Sequence, residues 1–345
     1  MQGARVENPQ LCRTARAKVL PMKKSRVLYV AGAHRSGTTL LASILGQYEG
    51  VFAAGELHEI WQNLIEGRPC GCGLSLDQCP VWAPILDEVC ETALHGPLKP
   101  DDAVRWRALS ARTWHTGRIL RQENGSSRSS AEASYATLMG VLYEVIAKRT
   151  GSRVVVDSTK IPSGAALLAT MDHLRPYTVH LIRDPRATAY SWSKRKARRL
   201  CGYEEPLLAQ GPLKSAAQWL GYNLLTEWVY RHWDGGWRRL RYEDLAAQPS
   251  ANADSIISWL GVETEVGPFE EPDLVRLAGG HQVAGNPDRF DTGAKRVRPD
   301  NRWIEGTREV DRWVVTSLSL PLLRRYGYRL IPVDGSDRID RRDGA

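Results

Sequence analysis

Val27-Leu28-Tyr29-Val30-Ala31-Gly32-Ala33-His34-Arg35-Ser36-Gly37-Thr38-Thr39-Leu40-Leu41 reads as an apolar strand, a Gly/Ser-rich turn and the first turn of a helix. Backbone N–H groups and a helix N-terminus then converge on one point, which is an anion nest. Downstream, Thr38 to Tyr48 continues as a helix with Leu40, Leu41, Ile44 and Leu45 on one face. A short strand, Val51-Phe52-Ala53-Ala54, runs into Gly55-Glu56-Leu57-His58. Arg153 to Asp157 is an all-apolar strand of the kind buried in a parallel sheet, and it leads into Ser158-Thr159-Lys160. Tyr177 to Ile182 is another strand, and it runs directly into Arg183-Asp184-Pro185-Arg186. Asp184 suits an N-cap and Pro185 a first helical residue, so a helix carrying Tyr190, Ser191 and Trp192 starts there. Trp237 to Tyr242 is a further strand, followed by helices over 250–260 and 308–326. Strands alternating with helices predict an α/β fold: a doubly wound, mostly parallel sheet of the P-loop nucleotide-binding type, flanked by helices.

The spacing Gly32-x4-Gly37-Thr38-Thr39 resembles a Walker A loop with Thr38 where the lysine belongs. That lysine reaches the β- and γ-phosphates of ATP, while a loop hydroxyl holds magnesium. Here the phosphate cradle is kept and the positive charge moves upstream to Arg35. A P-loop kinase or NTPase is the rival reading, against which the missing lysine and the lack of evident magnesium ligands stand. A catalytically idle nucleotide-binding protein is the third.

The chain has 345 residues, 42% of them apolar, and a net charge of +8, enough length for one large domain with a full core. Mean hydropathy is −0.38 and the pI about 9.2. The basic balance favours a polyanionic ligand, but no helix-turn-helix or RNP-type aromatic pattern accompanies it, so a nucleotide is preferred to nucleic acid. We expect a single domain over 25–331 with loop and helical insertions, a disordered basic extension over 1–24 and a disordered charged tail over 332–345. The first segment lacks an apolar core and is not read as a secretory signal, although a transit-type leader stays open. No apolar run spans a bilayer, and the expected location is cytoplasmic.

Six cysteines occur, with one cluster at Cys70-Gly71-Cys72 and Cys79 in a Gly/Pro-rich insertion over 67–84. Zinc sites usually present paired ligands on each side, which this insertion does not. Reduced structural thiols are preferred, with a local disulfide or a metal as alternatives, and no metal ligand is assigned. A polar turn is expected over 123–130, and a polar loop over 279–301.

Three ordered segments carry a resemblance to a known family. Arg35 to Leu41 resembles the 5′-phosphosulfate loop of sulfotransferases that use 3′-phosphoadenylyl sulfate (PAPS). Leu181 to Ser191 resembles their 3′-phosphate segment, and Leu240 to Leu245 with Trp259-Leu260-Gly261 a third recurring segment. The likeness runs in order from Arg26 to Arg329, and the Cys-Gly-Cys segment and Gly285-Asn286-Pro287 are similar to the bacterial branch.

The resemblance implies a PAPS-dependent enzyme moving a sulfonate to a hydroxyl by in-line displacement, without a metal. It places the 5′-phosphate and sulfonate on Arg35, Ser36, Gly37, Thr38 and Thr39, and the 3′-phosphate on Arg183 and Ser191. Tyr242 is read as an adenine contact, a pocket wall or a packed core tyrosine. Glu56 is the candidate base and His58 its rival, sharing a face with it on an extended segment. Lys160 and Arg35 would stabilise charge on the bridging oxygen.

The loop Gly285 to Arg289, with Lys295, Arg296 and Arg298, is a candidate lid that departs from the Arg-Lys-Gly pattern of the animal cytosolic enzymes. The run Lys194 to Arg199 is read either as an anion-attracting patch or as a solvated helix face. The acceptor, whether small metabolite, glycan or lipid, is not legible, although the missing membrane anchor argues against a Golgi-type enzyme. Trp219, Trp228 and Trp233 suit an acceptor pocket and helix packing equally. A homodimer stays open.

Overall fold

The computed structural model describes residues 24–93, 98–122, 129–194, 197–200, 203–206, 209–232, 235–264 and 266–331. Ten strands occur in these residues. They are β1 (Arg26–Ala31), β2 (Val51–Gly55), β3 (Val154–Lys160), β4 (Arg175–Ile182), β5 (Ala197–Leu200), β6 (Tyr203–Pro206), β7 (Gly236–Arg241), β8 (Phe269–Glu271), β9 (Leu274–Leu277) and β10 (Gly293–Arg296). Five of them form one sheet in the order β2-β3-β1-β4-β7, and each neighbouring pair is parallel. The fold is therefore the α/β doubly wound arrangement expected from the sequence. Chain order reverses at β1, which lies between β3 and β4, so the crevice beyond its carboxyl end is the topological switch point.

The alternation of side chains along β1 assigns the two faces. Val27, Tyr29 and Ala31 join a core with the helices Trp82–Thr92, Ser130–Thr150 and Pro162–Ala169. Leu28 and Val30 join the opposite core, built with the helices Thr38–Leu45 and Pro249–Trp259. Strand β3 is buried along its whole length, in keeping with its run of valines. It continues through Lys160, three residues beyond the apolar stretch that announced it. A third cluster packs Trp219, Leu322, Leu323 and Tyr326 against Ile182 and Ala33, backing the strand end that carries Arg183.

Local signals at the start of the helix Pro185–Ser193 act as read. Asp184 is the N-cap, its Oδ1 accepts from the Arg186 N–H at 2.8 Å, and Pro185 is the first helical residue. The insertion over 67–84 is less irregular than expected, because a helix starts at Trp82 and takes in Pro84. Proline is tolerated there because first-turn N–H groups have no helical partner. The polar loop over 279–301 is also corrected. It contains a 3-10 turn at Pro287–Phe290 and the strand β10, which pairs antiparallel with β9 in a three-stranded sheet β10-β9-β8. Alternating exposure in Gly-Ala-Lys-Arg, with no apolar run, hid this strand. The extension over 1–23, the tail over 332–345, the turn over 123–128, Trp233 and the side chains of 195–200 lie outside the described residues.

Candidate functional site

All five carboxyl ends of the main sheet deliver a candidate residue. Strand β1 leads to Arg35, β2 to Glu56, β3 ends on Lys160, β4 leads to Arg183 and β7 to Tyr242. They line one cleft of about 590 Å³, together with Thr38, Thr39 and Ser191. Nine basic and four acidic side chains face this cleft, an imbalance suited to an anion. Its size is that of an ordinary small-ligand pocket.

Backbone conformation singles out the same place. Arg35, Lys160 and Ala284 are the non-glycine residues at positive φ among the described residues (68°, 72° and 52°), and all three line the cleft. Such conformations cost about 1–3 kcal/mol each and gather at functional sites. Gly37 is the left-handed N-cap of the first helix (φ 90°), and a Cβ there would lie 2.6 Å from the Tyr242 ring. Only glycine lets the loop pass so close to that ring. Ser36 is fully buried, and its Oγ has no hydrogen-bond partner among the described residues.

Glu56 and Lys160 are both buried, and the Lys160 ammonium donates to Glu56 Oε1. Burial alone pushes the Glu56 carboxyl up, but the Lys160 ammonium outweighs it and holds the group below the usual range. Glu56 is therefore ionised at neutral pH and free of a proton, as a general base must be. Lys160, read from the sequence as a stabiliser of the bridging oxygen, rests on the base candidate itself. His58 lines the same cleft, but its ring is engaged on both sides: Nδ1 is 3.3 Å from Thr159 Oγ1, and Nε2 is 3.0 Å from Glu59 Oε1.

Arg183 is buried under the loop. It donates to the Arg35 carbonyl at 3.1 Å and to Asp300 Oδ2 at 3.2 Å, and its guanidinium lies 4.4 Å from the Tyr242 ring centroid. Its Nε is buried and has no hydrogen-bond partner among the described residues. Ser191 lies on the helix that starts beside Arg183 and faces the same cleft. Arg186, in the same motif, has another task. It is 2% exposed, bonds both oxygens of Asp184 and reaches the carbonyls of Arg329 and Leu330, anchoring the end of the described chain. Arg35 stacks on Trp192, with 4.8 Å between the guanidinium carbon and the ring centroid.

The segment read as a candidate lid contributes Gly285, Asn286, Lys295, Arg296 and Arg298 to the lining of the cleft. Asn286 N–H donates to Thr39 Oγ1 at 3.3 Å, and Glu56 N–H donates to the Val283 carbonyl at 2.7 Å. Its cations are tied to acids: Lys295 to Asp291 at 2.7 Å, Arg296 to Glu271 at 2.8 Å, and Arg298 to Asp273 at 3.8 Å. Lys194 lies over the Tyr190 ring. Trp219 is a core residue whose Nε1 donates to the Arg183 carbonyl at 2.9 Å, and Trp228 packs partly buried against the larger core.

Three residues at or near the site were not singled out in the sequence. His34 lines the cleft, and burial, then Lys160, pulls its pKa down to about 3, so it is neutral. Its place inside the loop was the available signal. Asp300, held at about 2 by its hydrogen bond from Arg302 with a further contribution from Arg183, had no local signal. Nor had His281, whose Nδ1 lies 3.2 Å from Cys79 Sγ.

A family model described as "Sulfotransferase family" matches residues 87–266. Among solved structures, the sulfotransferase domain of the curacin biosynthetic pathway is 16% identical with a TM-score of 0.47, over 88% of this chain and 98% of that one. The sulfotransferase domain of the Synechococcus PCC 7002 olefin synthase is 18% identical with a TM-score of 0.45, over 88% and 96%. The sulfotransferase STF9 of Mycobacterium avium is 15% identical with a TM-score of 0.41, over 90% and 79%. No curated protein matches the sequence. No helix of the described residues is long and apolar enough to cross a membrane.

Proposed function

We propose that this chain, which belongs to the sulfotransferase family, takes its sulfonate from PAPS and passes it to a hydroxyl of an acceptor, without a metal in the transfer step. The observation that carries the reading is the meeting of the Arg35 loop with Arg183 and Ser191 in one basic cleft at the switch point of the sheet. One buried polar group of a cleft-lining residue fits an anionic nucleotide: Arg183 Nε has no hydrogen-bond partner among the described residues.

PAPS would supply an activated sulfonate whose leaving group is a phosphate. Backbone N–H groups of residues 36–39 and the Arg35 side chain would hold the 5′-phosphosulfate. Arg183 would bond the 3′-phosphate, a planar fork against a tetrahedral anion, with Ser191 as a second donor. Glu56 would orient the acceptor hydroxyl and take its proton during displacement. Lys160 would turn from Glu56 toward the bridging oxygen as negative charge grows there, which also frees the base. The same ammonium thus keeps Glu56 ionised at rest and stabilises the leaving group in the transition state.

The test is transfer of labelled sulfonate from PAPS into a metabolite extract of the source organism, with magnesium-dependent ATP turnover measured alongside. Labelled acceptor without ATP turnover is expected. ATP turnover without labelled product would favour the kinase reading.

A further inference from the structure

Away from the anion cleft, Cys70, Cys72, Cys79 and His281 bring one ligand atom each to within 4.8 Å of one another. Cys70 and Cys79 are buried, His281 is half-buried and Cys72 is exposed. None of the three thiols is in a disulfide. Cys79 Sγ is 3.7 Å from both Cys70 Sγ and Cys72 Sγ, far beyond a sulfur–sulfur bond of about 2.05 Å. His281 Nδ1 lies 3.2 Å from Cys79 Sγ and 3.7 Å from Cys70 Sγ. Around a tetrahedral zinc ion, with Zn–S about 2.3 Å and Zn–N about 2.0–2.1 Å, neighbouring ligand atoms stand roughly 3.5–3.8 Å apart. Four of the six pairs, at 3.2–3.7 Å, are already near that spacing, and all six lie within 4.8 Å.

The backbone around them is built for close approach. Gly71 N–H donates to the Gln282 carbonyl at 3.0 Å, and a Cβ on Gly71 would meet the Gly280 carbonyl at 2.6 Å. Cys70 N–H donates to the Leu74 carbonyl and Gly73 N–H to the Cys70 carbonyl, each at 2.8 Å. These bonds fold the Cys-Gly-Cys turn back on itself. Trp82 Nε1 donates to the His281 carbonyl at 2.5 Å, fixing the histidine's backbone from the far side.

We infer that these four residues form a structural zinc site that clamps the 67–84 insertion to the segment around His281. Three thiolates and a neutral imidazole close the tetrahedron and leave no open position, the pattern of a structural rather than a catalytic zinc. On binding, the three thiols release their protons to solvent, and zinc forms three Zn–S bonds and one Zn–N bond without any redox change. The consequence is mechanical. His281 and Gln282 lead straight into Val283, which pairs with β2 at Gly55 and accepts the Glu56 N–H. Gln282 Nε2 also donates to Ser43 Oγ on the helix that follows the anion loop, at 2.8 Å. The metal would thus fix the covering segment over Glu56 and Thr39, joining parts of the chain 202 residues apart.

The test reads metal, so it stands or falls independently of the sulfonate donor. Tag-free protein purified under reducing conditions is analysed for metals by mass spectrometry, expecting one zinc per chain. Chelator-treated protein is titrated with zinc and with cobalt(II), expecting saturation at one equivalent and the visible absorption of tetrahedral cobalt–thiolate. Cys70→Ser and Cys79→Ser should lose the stoichiometric zinc, His281→Cys should keep it, and Cys90→Ser should be unaffected. If Cys70→Ser does not fold, the titrations of the unaltered chain still decide. Chelation should expose three further thiols to a thiol reagent and lower the thermal midpoint. Less than a tenth of an equivalent of zinc with no uptake by the reduced chain, a Cys70–Cys79 disulfide, or iron in place of zinc would each overturn the inference.

Discussion

The Lys160 ammonium donates to Glu56 Oε1 at the carboxyl edge of the sheet, bringing together residues 104 apart in sequence. Each arrives at the end of its own strand, and β2 and β3 are paired, so the contact is set by sheet order rather than by local sequence. The pair makes Glu56 a carboxylate at rest, and in the proposed mechanism Lys160 leaves it for the bridging oxygen.

Glu56→Gln removes the proposed base but keeps the side chain's size. Sulfonyl transfer should fall by about 10²–10⁴-fold, while affinity for PAP, the desulfonated nucleotide, stays within about twofold. His58→Asn should lose less than about tenfold, because that ring is engaged by Glu59 and Thr159. Steady-state rates with calorimetric titrations of both variants check this, and wild-type turnover in Glu56→Gln would remove Glu56 as the base.

Lys160→Met leaves a buried carboxylate without its cation, at a cost of about 3–5 kcal/mol near neutral pH. In the unaltered chain the Glu56 carboxyl lies below its ordinary value of 4.5, so the pair's stabilisation is complete above that value and is lost as pH falls through the lower folded value. In the variant, burial is no longer opposed by Lys160, and the carboxyl shifts upward. Acid should then relieve the variant, narrowing the gap in thermal midpoint between the two proteins. A gap of constant size from about pH 8 down to pH 4 would contradict this.

Gly37→Ala places a Cβ in a left-handed conformation 2.6 Å from the Tyr242 ring. The conformation alone costs about 1–2 kcal/mol, and the ring must also move. Thermal unfolding should show a loss of at least this size. Adding Tyr242→Ala should cost less in the Gly37→Ala background than in the unaltered chain. Strict additivity would show that the two residues do not press on each other.

Asp300 keeps a negative charge on Arg183, its carboxyl held at about 2, first by the hydrogen bond from Arg302. A 3′-phosphate on Arg183 would be repelled by it. Asp300→Asn should therefore tighten PAP binding, by roughly threefold to tenfold for about 1 kcal/mol of relieved repulsion. Weaker binding would mean that Asp300 positions Arg183 rather than competing for it.

The parts of the fold that the sequence displayed are those fixed by neighbours in the chain. Val154 to Val156 announce a buried strand, and Asp184-Pro185 announces a helix start, because β-branching and capping act within a few residues. The loop from Gly32 to Thr39 is legible for the same reason. By contrast, the strand β10 has no apolar alternation to reveal it, and it pairs only because β9 lies alongside. Lys160 was singled out by its strand end, but its pairing with Glu56 required the order of strands. His281 carried no mark at all, since its Cys79 neighbour is 202 positions away. The cysteine cluster, judged alone, lacked a fourth ligand that only the fold supplies.

In the proposed function, Arg183 holds the 3′-phosphate of an adenosine nucleotide phosphorylated at both ends. The measurement that tests this most directly is calorimetric titration of the unaltered chain and Arg183→Ala with PAP and with adenosine 5′-phosphate, without magnesium. Loss of a charge-assisted bond costs about 1.5–3 kcal/mol, or roughly 10- to 100-fold in Kd. PAP should bind the unaltered chain tighter than adenosine 5′-phosphate by about that factor, and Arg183→Ala should erase the difference. Equal affinity for the two nucleotides, or a preference for PAP that survives Arg183→Ala, would contradict the account.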